Sequence, residues 1–110
     1  MKKVYRLVKN NDFSVVVKKG HTLKNESFTI HYIENDLNNS RVGVSVSSKL
    51  GHAVTRNRIK RQMRAMLDNR INYQESHIDL VVIARSGFLD KTFQENYTCL
   101  DNLLSCINGL

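Results

Sequence analysis

A cluster of cationic side chains in the middle of the chain has the composition and spacing of an anion-binding surface. Residues 49–64 hold six lysines and arginines and no acidic residue. On a helix, Asn57, Lys60, Arg61 and Arg64 fall at i, i+3, i+4 and i+7, so they share one face. Guanidinium forks match phosphate oxygens, and an amide can read backbone shape. The chemistry indicated is phosphate binding on an irregular RNA surface.

A solvated helix face is the alternative explanation for this cluster, and two observations count against it. The cluster has no acidic side chain at i±3 or i±4 apart from Asp68, which could meet Arg64. Its cations also lie in the first turns, where the helix dipole disfavours each by about 0.3–1 kcal/mol. A DNA helix-turn-helix would need a helix before this one, whereas strands precede it here, so we expect no DNA partner.

The cationic helix must be held by an apolar stripe on its other side. Ile59, Met63, Met66 and Leu67 fall within one arc of a helix predicted over residues 55–71 and should face a sheet. Arg58 flanks the cationic face. Arg56 lies nearer the apolar edge, at the helix start.

Apolar periodicity predicts the remaining elements. They are a helix at 10–19, a short strand at 21–25, strands at 27–33 and 41–48, a strand at 78–84 covered on both faces, and a helix at 91–107. The turn-like residues 35–39 predict that the strands on either side of them pair as an antiparallel hairpin. The order αβββαβα predicts one α+β domain over residues 1–110, a two-layer sandwich with helices packed on a four-stranded sheet.

Local signals predict where two of the helices begin and end. Asn11 or Asp12 should cap the first helix, and Gly20 should end it in a left-handed conformation. Thr92 and Glu95 have the spacing of a capping box for the last helix. The apolar stripe of that helix is Phe93, Tyr97, Leu100, Leu104 and Ile107.

Charge and cysteine usage narrow the class of protein. The net charge of +7 divides into +10 over residues 1–64 and −3 over residues 65–110, which favours a polyanionic partner, nucleic acid ahead of membrane. No apolar run of about 18 residues and no apolar stretch behind the N-terminal lysines is present, so we expect neither a membrane span nor a secretory signal. Cys99 and Cys106 lie two helical turns apart, roughly 10 Å, too far for a disulfide. A cytoplasmic protein with reduced cysteines is expected.

No arrangement of residues in the sequence indicates catalysis or metal binding by the chain itself. A nuclease acting alone would need clustered carboxylates or a His–acid pair. The aspartates are scattered over different elements, and the four histidines show no ligand spacing; these residues are Asp12, Asp36, Asp68, Asp79, Asp90, Asp101, His21, His31, His52 and His77. We therefore expect no catalytic and no metal-ligating residue.

The central stretch of the chain resembles the bacterial ribonuclease P protein subunit family. The matching residues are Arg41-Val42-Gly43-Val44-Ser45-Val46-Ser47-Ser48-Lys49, Gly51, Ala53-Val54 and Arg56-Asn57-Arg58-Ile59-Lys60-Arg61. The Arg-Asn-Arg core is that family's signature, and Arg6-Leu7, Asp12-Phe13, Gly20 and Ile83-Ala84-Arg85 also fit. The resemblance covers essentially the whole chain.

The resemblance implies a left-handed βαβ crossover, which departs from the usual right-handed rule. It implies a subunit that binds one large catalytic RNA and the 5′ leader of precursor tRNA, with the RNA and Mg²⁺ removing the leader. By resemblance, the catalytic-RNA contacts would be Arg56, Asn57, Arg58, Lys60, Arg61 and Arg64. The leader would lie between the first helix and the sheet, against Phe13, Val17, His31, Ser45, Ser47 and Lys49.

Alternatives to these roles remain open from the sequence. Phe13 suits helix packing as well as base stacking, and relatives often carry aromatic residues where Val17 and His31 stand. A plain RNA-binding module, such as a ribosomal or chaperone protein, and a metal-dependent nuclease acting alone are the rival functions.

Overall fold

The computed structural model describes all residues, 1–110. Its elements are α1 (Asn10–Lys19), β1 (His21–Lys24), β2 (Phe28–Glu34), β3 (Arg41–Val46), α2 (Ala53–Arg70), β4 (Ile78–Ala84) and α3 (Phe93–Leu104). Short 3₁₀ turns connect several of them, including residues 48–50 and 86–90. The predicted α+β class and the order αβββαβα are confirmed. No helix is long and apolar enough to cross a membrane.

The predicted hairpin between β2 and β3 is wrong. The sheet order is β1-β2-β4-β3, with β4 antiparallel to β2 and parallel to β3. The reason lies in β4, whose Leu80, Val81 and Val82 are completely buried. Such a strand is most stable in the centre of a sheet, where both faces are covered. It therefore separates β2 from β3, which follow each other in the chain.

The β3–α2–β4 unit connects two parallel neighbouring strands through a long helix. Parallel neighbours need such a crossover because a tight turn cannot join them. It is the crossover whose left-handedness the resemblance implies. Since α2 begins just after β3 ends, its first turns lie at the carboxyl end of β3.

The sheet carries helices on both faces. The larger core contains residues of α2 and α3, and Ile59, Met63, Met66 and Leu67 are at most 2% exposed, which confirms the predicted orientation of α2. On the opposite face a small cluster joins Val16 of α1 to Val81 and Leu7. Far less apolar contact therefore holds α1 than holds α2.

Both end signals predicted for α1 are wrong. The helix begins at Asn10, so Asn11 and Asp12 lie inside its first turn, and the preceding Lys9 makes no side-chain cap. The Asp12 carboxylate contacts Arg41 instead. Gly20 has φ −79° and is not left-handed. A Cβ there would clash with the carbonyl oxygens of Val16 and Tyr32, so glycine is required for close packing of the backbone.

The predicted capping box of α3 is confirmed. Thr92 Oγ1 accepts from the Glu95 N–H at 3.1 Å, and Glu95 Oε1 accepts from the Thr92 N–H at 2.9 Å. The backbone hydrogen bond from Thr92 lowers the pKa of Glu95. The stripe is confirmed at Leu100, Leu104 and Ile107, but Phe93, placed in the core by its spacing, is 44% exposed. Both cysteines are free.

Candidate nucleic-acid interface

The first of two candidate contact surfaces is the basic face of α2, formed by Arg56, Asn57, Arg58, Lys60, Arg61 and Arg64. Asn57, Arg58 and Arg61 are exposed, and the other three are half-buried. None of the six forms an ion pair, and none of their side chains forms a hydrogen bond within the chain. Apart from the Nε of Arg56, which is buried, their donors are therefore available to an external acceptor.

The N-terminal end of α2 adds its own positive field to these cations. His52 precedes the helix without a side-chain cap, and the first turn holds no acidic residue. Gly51, with φ 143°, makes the turn into the helix in a conformation that glycine alone readily adopts. Unsatisfied N–H groups at a helix start favour anions. The helix dipole and the cationic side chains therefore both make this end of α2 positive.

Arg56 shows the only buried side-chain polar atom without a partner. Its Nε is inaccessible to solvent and makes no hydrogen bond, although the residue as a whole is half-buried. The sequence placed Arg56 near the apolar edge of the helix, and the structure confirms this. Packing of its stem restricts where the guanidinium can reach.

Asp68, which the sequence allowed as a partner of Arg64, points elsewhere. Its Oδ1 accepts from the Tyr73 hydroxyl at 2.9 Å, and its Oδ2 lies 3.1 Å from the N-terminal amine of Met1. Burial, together with this hydrogen bond, raises the pKa of Tyr73. The basic face consequently has no internal counter-charge.

The second candidate surface lies between α1 and the sheet and is called the α1–sheet cleft; its residues are Phe13, Val17, His31, Ser45, Ser47 and Lys49. The register aligns His31, Val81 and Gly43 across β2, β4 and β3. The Phe13 ring packs so closely on Gly43 that a Cβ there would overlap it. The structure therefore places Phe13 and His31 on the same face of the sheet.

The other predicted residues lie on α1, on β3 and just after β3. Ser45 is half-buried on β3, two residues beyond Gly43 and on the same face. Val17 is 39% exposed on α1, and His31 exchanges a 3.0 Å hydrogen bond with Thr22. Ser47 and Lys49 follow the end of β3 and are exposed; the Ser47 hydroxyl accepts from the Lys49 N–H.

The strand register adds residues that the sequence alone did not suggest. Thr29, Ile83 and Ser45 form the next row across the sheet, on the face that carries α1, and continue it to Lys24 on the edge strand. Thr29 and Ile83 are half-buried. The alternation of the strand that carries Thr29 was visible in the sequence, whereas the almost continuously apolar residues 78–84 showed none, and only the strand order brings Thr29 and Ile83 beside Ser45.

A network of charged side chains fixes α1 over this face. Arg41 donates to Asp79 from Nε at 3.0 Å and from Nη2 at 2.6 Å, and its Nη1 lies 3.4 Å from Asp12 on α1. Asp79 is 5% exposed and also accepts from Asn35 at 2.8 Å. The hydrogen bond with Asp79 raises the pKa of Arg41. Arg41 thereby joins α1 to two strands at one end of the α1–sheet cleft.

The carboxylates that looked scattered along the chain are mostly engaged by cations. Asp12 and Asp79 converge, but on Arg41, while Arg70 pairs with Asp101 and Lys91 pairs with Glu26. No three or more His, Cys, Asp or Glu side chains are grouped so that they could hold a metal ion. The absence of catalytic and metal-ligating residues remains a prediction.

The two surfaces are connected by one continuous stretch of chain. β3 carries Ser45 along the cleft, residues 47–50 make the turn, and α2 then begins with the basic face. Phosphates of one extended ligand could therefore contact both surfaces in succession.

Comparisons with known proteins agree with this geometry. The family model described as Ribonuclease P matches residues 1–108. The ribonuclease P protein component of Streptococcus thermophilus is 44% identical over 105 residues, which cover 94% of this chain and 93% of that protein. The chain also superposes on the Staphylococcus aureus RNase P protein structure, with TM-score 0.86, 36% identity, and 97% and 98% of the two chains covered. The RNase P protein from Thermotoga maritima gives TM-score 0.80, 33% identity and coverage of 94% and 98%. The chain belongs to the ribonuclease P protein family.

Proposed function

We propose that this chain is the protein subunit of ribonuclease P and that the basic face of α2 binds the enzyme's catalytic RNA. Its family membership supports a role in tRNA 5′ processing. The observation that carries the RNA contact is the absence of an internal ion-pair partner for five cations of α2, four of them in its N-terminal half. Like charges placed there cost stability, and an RNA phosphate offsets that cost.

The α1–sheet cleft binds the 5′ leader of precursor tRNA in this proposal. Phe13 offers an aromatic surface, His31 offers a ring nitrogen, and Ser45 and Ser47 offer hydroxyls. Lys49 supplies a cation between the cleft and α2. Single-stranded RNA is held by such combinations of stacking and phosphate contacts.

The bond cleavage is assigned to the catalytic RNA. The chain contributes cations and positioning, and four of its ten acidic side chains are paired with Arg41, Arg70 or Lys91. No set of side chains on the chain fits a Mg²⁺ site. We propose that the Mg²⁺ ions of the holoenzyme are bound mainly by RNA, and that the protein's cations reduce the number of ions needed by neutralising phosphates.

Reconstitution tests this function directly. The protein, the catalytic RNA and precursor tRNA are mixed at a Mg²⁺ concentration too low for the RNA alone, and leader release is followed. We expect the protein to restore cleavage and to show no cleavage without the RNA. A plain RNA-binding module would bind the RNA without restoring cleavage, and a nuclease acting alone would cleave without it. Either result would overturn the proposal.

A further inference from the structure

A pocket of about 210 Å³ opens beside the basic face, between α2 and the start of α3. Arg58 and Gln62 line it from α2, and Leu89, Lys91 and Phe93 line it from the segment that begins α3. Leu89 is 50% exposed and Phe93 is 44% exposed. The first position of α3 thus presents an aromatic ring to solvent where an apolar core residue was predicted.

The groups around this pocket are those that recognise a nucleobase. Phe93 is held edge-to-face against Tyr97, with ring centroids 6.4 Å apart, so its ring orientation is supported by a neighbour. The Gln62 amide and the Arg58 guanidinium form no hydrogen bond within the chain. A flat apolar ring beside free polar donors suits stacking of a base and recognition of its edge.

The charge of the pocket and its continuity with the basic face identify the occupant. Lys91 and Arg58 are cationic, and no acidic residue lines the pocket, although Glu26 lies 3.6 Å from Lys91. Arg58 belongs both to the pocket and to the basic face. An RNA strand bound along α2 would therefore pass the pocket opening.

We propose that this pocket binds a single unpaired nucleotide of the catalytic RNA, with its base stacked on Phe93 and its phosphate held by Arg58. The inference rests on the proposed function, since it assigns one nucleotide of the same RNA to a defined place. It makes Phe93 an RNA contact on α3, outside both surfaces described above.

Fluorescence gives the direct test, because the chain contains no tryptophan. Phe93→Trp places the only tryptophan of the variant in the pocket, and titration with the catalytic RNA should quench the tryptophan emission through stacking. Leu37→Trp is the matched control, since Leu37 is 42% exposed in the loop that follows Glu34, at the end of β2 opposite to the end where Phe28 contacts Phe88 of the pocket. Its emission should stay unchanged. Equal quenching of the two variants, or no quenching of Phe93→Trp, would refute the proposal that a nucleotide stacks in the pocket.

Affinity measurements separate stacking from general apolar contact. We expect Phe93→Ala and Phe93→Leu to weaken binding of the catalytic RNA about 5- to 150-fold, and Phe93→Tyr to bind like the wild type. Leu37→Ala should leave the affinity unchanged. Wild-type affinity in Phe93→Leu would show that no base stacks there.

Different results are expected if the pocket does not bind a nucleotide and if the proposed function is wrong. If Phe93→Ala binds the catalytic RNA normally while Arg61→Ala binds it weakly, the pocket is wrong and the function stands. If Phe93→Ala lowers only the affinity for the 5′ leader, the pocket does not bind a nucleotide of the catalytic RNA, and the proposal is wrong. If the wild-type protein neither binds the catalytic RNA nor restores cleavage, the function itself is wrong and the pocket inference falls with it.

Discussion

The two halves of α2 share one buried stripe but differ in what their polar side chains contact. The N-terminal half holds four of the five cations of the basic face, Arg64 lies one turn further on, and none of the five has an ion-pair partner within the chain. In the C-terminal half, Asp68 binds Tyr73 and the N-terminal amine, and Arg70 binds Asp101. Under the proposed function, the paired end of α2 stabilises the fold and the unpaired end binds RNA.

The same distinction applies to arginines elsewhere in the chain. Arg41 and Arg70 are ion-paired, whereas Arg58, Arg61 and Arg64 are not. We expect loss of a paired arginine to change stability while leaving affinity for the catalytic RNA nearly unchanged. Loss of an unpaired arginine should do the reverse.

The largest loss of stability is expected from a substitution in the buried stripe that both halves of α2 share. Met63 is completely buried, so Met63→Asp places a charge in an apolar interior and should unfold the domain. Ala65→Asp, on the exposed side of the same helix, should keep a cooperative thermal transition followed by circular dichroism. A cooperative transition of Met63→Asp near that of the wild type would refute the orientation of α2.

The next effect is expected at the buried ion pair. Arg41→Ala leaves the Asp79 carboxylate, 5% exposed, without its cation, and should lower the free energy of unfolding by about 3 kcal/mol. Urea denaturation measures the loss. The folded variant should bind the catalytic RNA normally but hold the leader less tightly, because α1 loses its tie to the sheet. Equal losses of both affinities would mean that Arg41 does not act through the α1–sheet cleft.

Smaller changes in the free energy of unfolding are expected from two arginines of α2, one paired and one unpaired. Arg70→Ala breaks a pair whose Asp101 partner is half-exposed and should cost at most about 1 kcal/mol. Arg61→Ala removes no internal contact, so its free energy of unfolding should stay within about 0.5 kcal/mol of the wild type. A larger loss in Arg61→Ala than in Arg70→Ala, measured by urea denaturation, would remove the distinction between the two halves.

Much of the fold could be predicted because single elements carry local signals. The apolar arc of Ile59, Met63, Met66 and Leu67 and the capping box of Thr92 and Glu95 depend only on residues close in sequence. The pairing of β2 with β4 depends on which strand buries both faces. An adjacent hairpin was predicted instead, because proximity in sequence is the only pairing signal that a turn provides.

The candidate site was predictable to a similar extent. The basic face could be predicted from the helical spacing of its cations and from the absence of acidic residues among them. That these cations have no ion-pair partner elsewhere in the chain depends on the fold and agrees with the prediction. The Arg41–Asp12–Asp79 network joins residues from α1, β3 and β4, so no spacing could reveal it. The exposure of Phe93 was not predicted either. Its spacing places it on the apolar side of α3, but spacing does not show how far along the helix the core extends.

The salt dependence of binding to the catalytic RNA distinguishes a phosphate-binding face of α2 from a solvated one. Dissociation constants are measured over a range of salt concentrations for the wild type, Arg61→Ala, Arg64→Ala and Arg70→Ala, and the slopes of log affinity against log salt are compared. Each phosphate contact contributes about one unit to that slope. We expect Arg61→Ala and Arg64→Ala each to make the slope shallower by about one unit, and Arg70→Ala to keep the wild-type slope. Wild-type slopes in all three variants would show that the basic face is a solvated surface and would contradict the account.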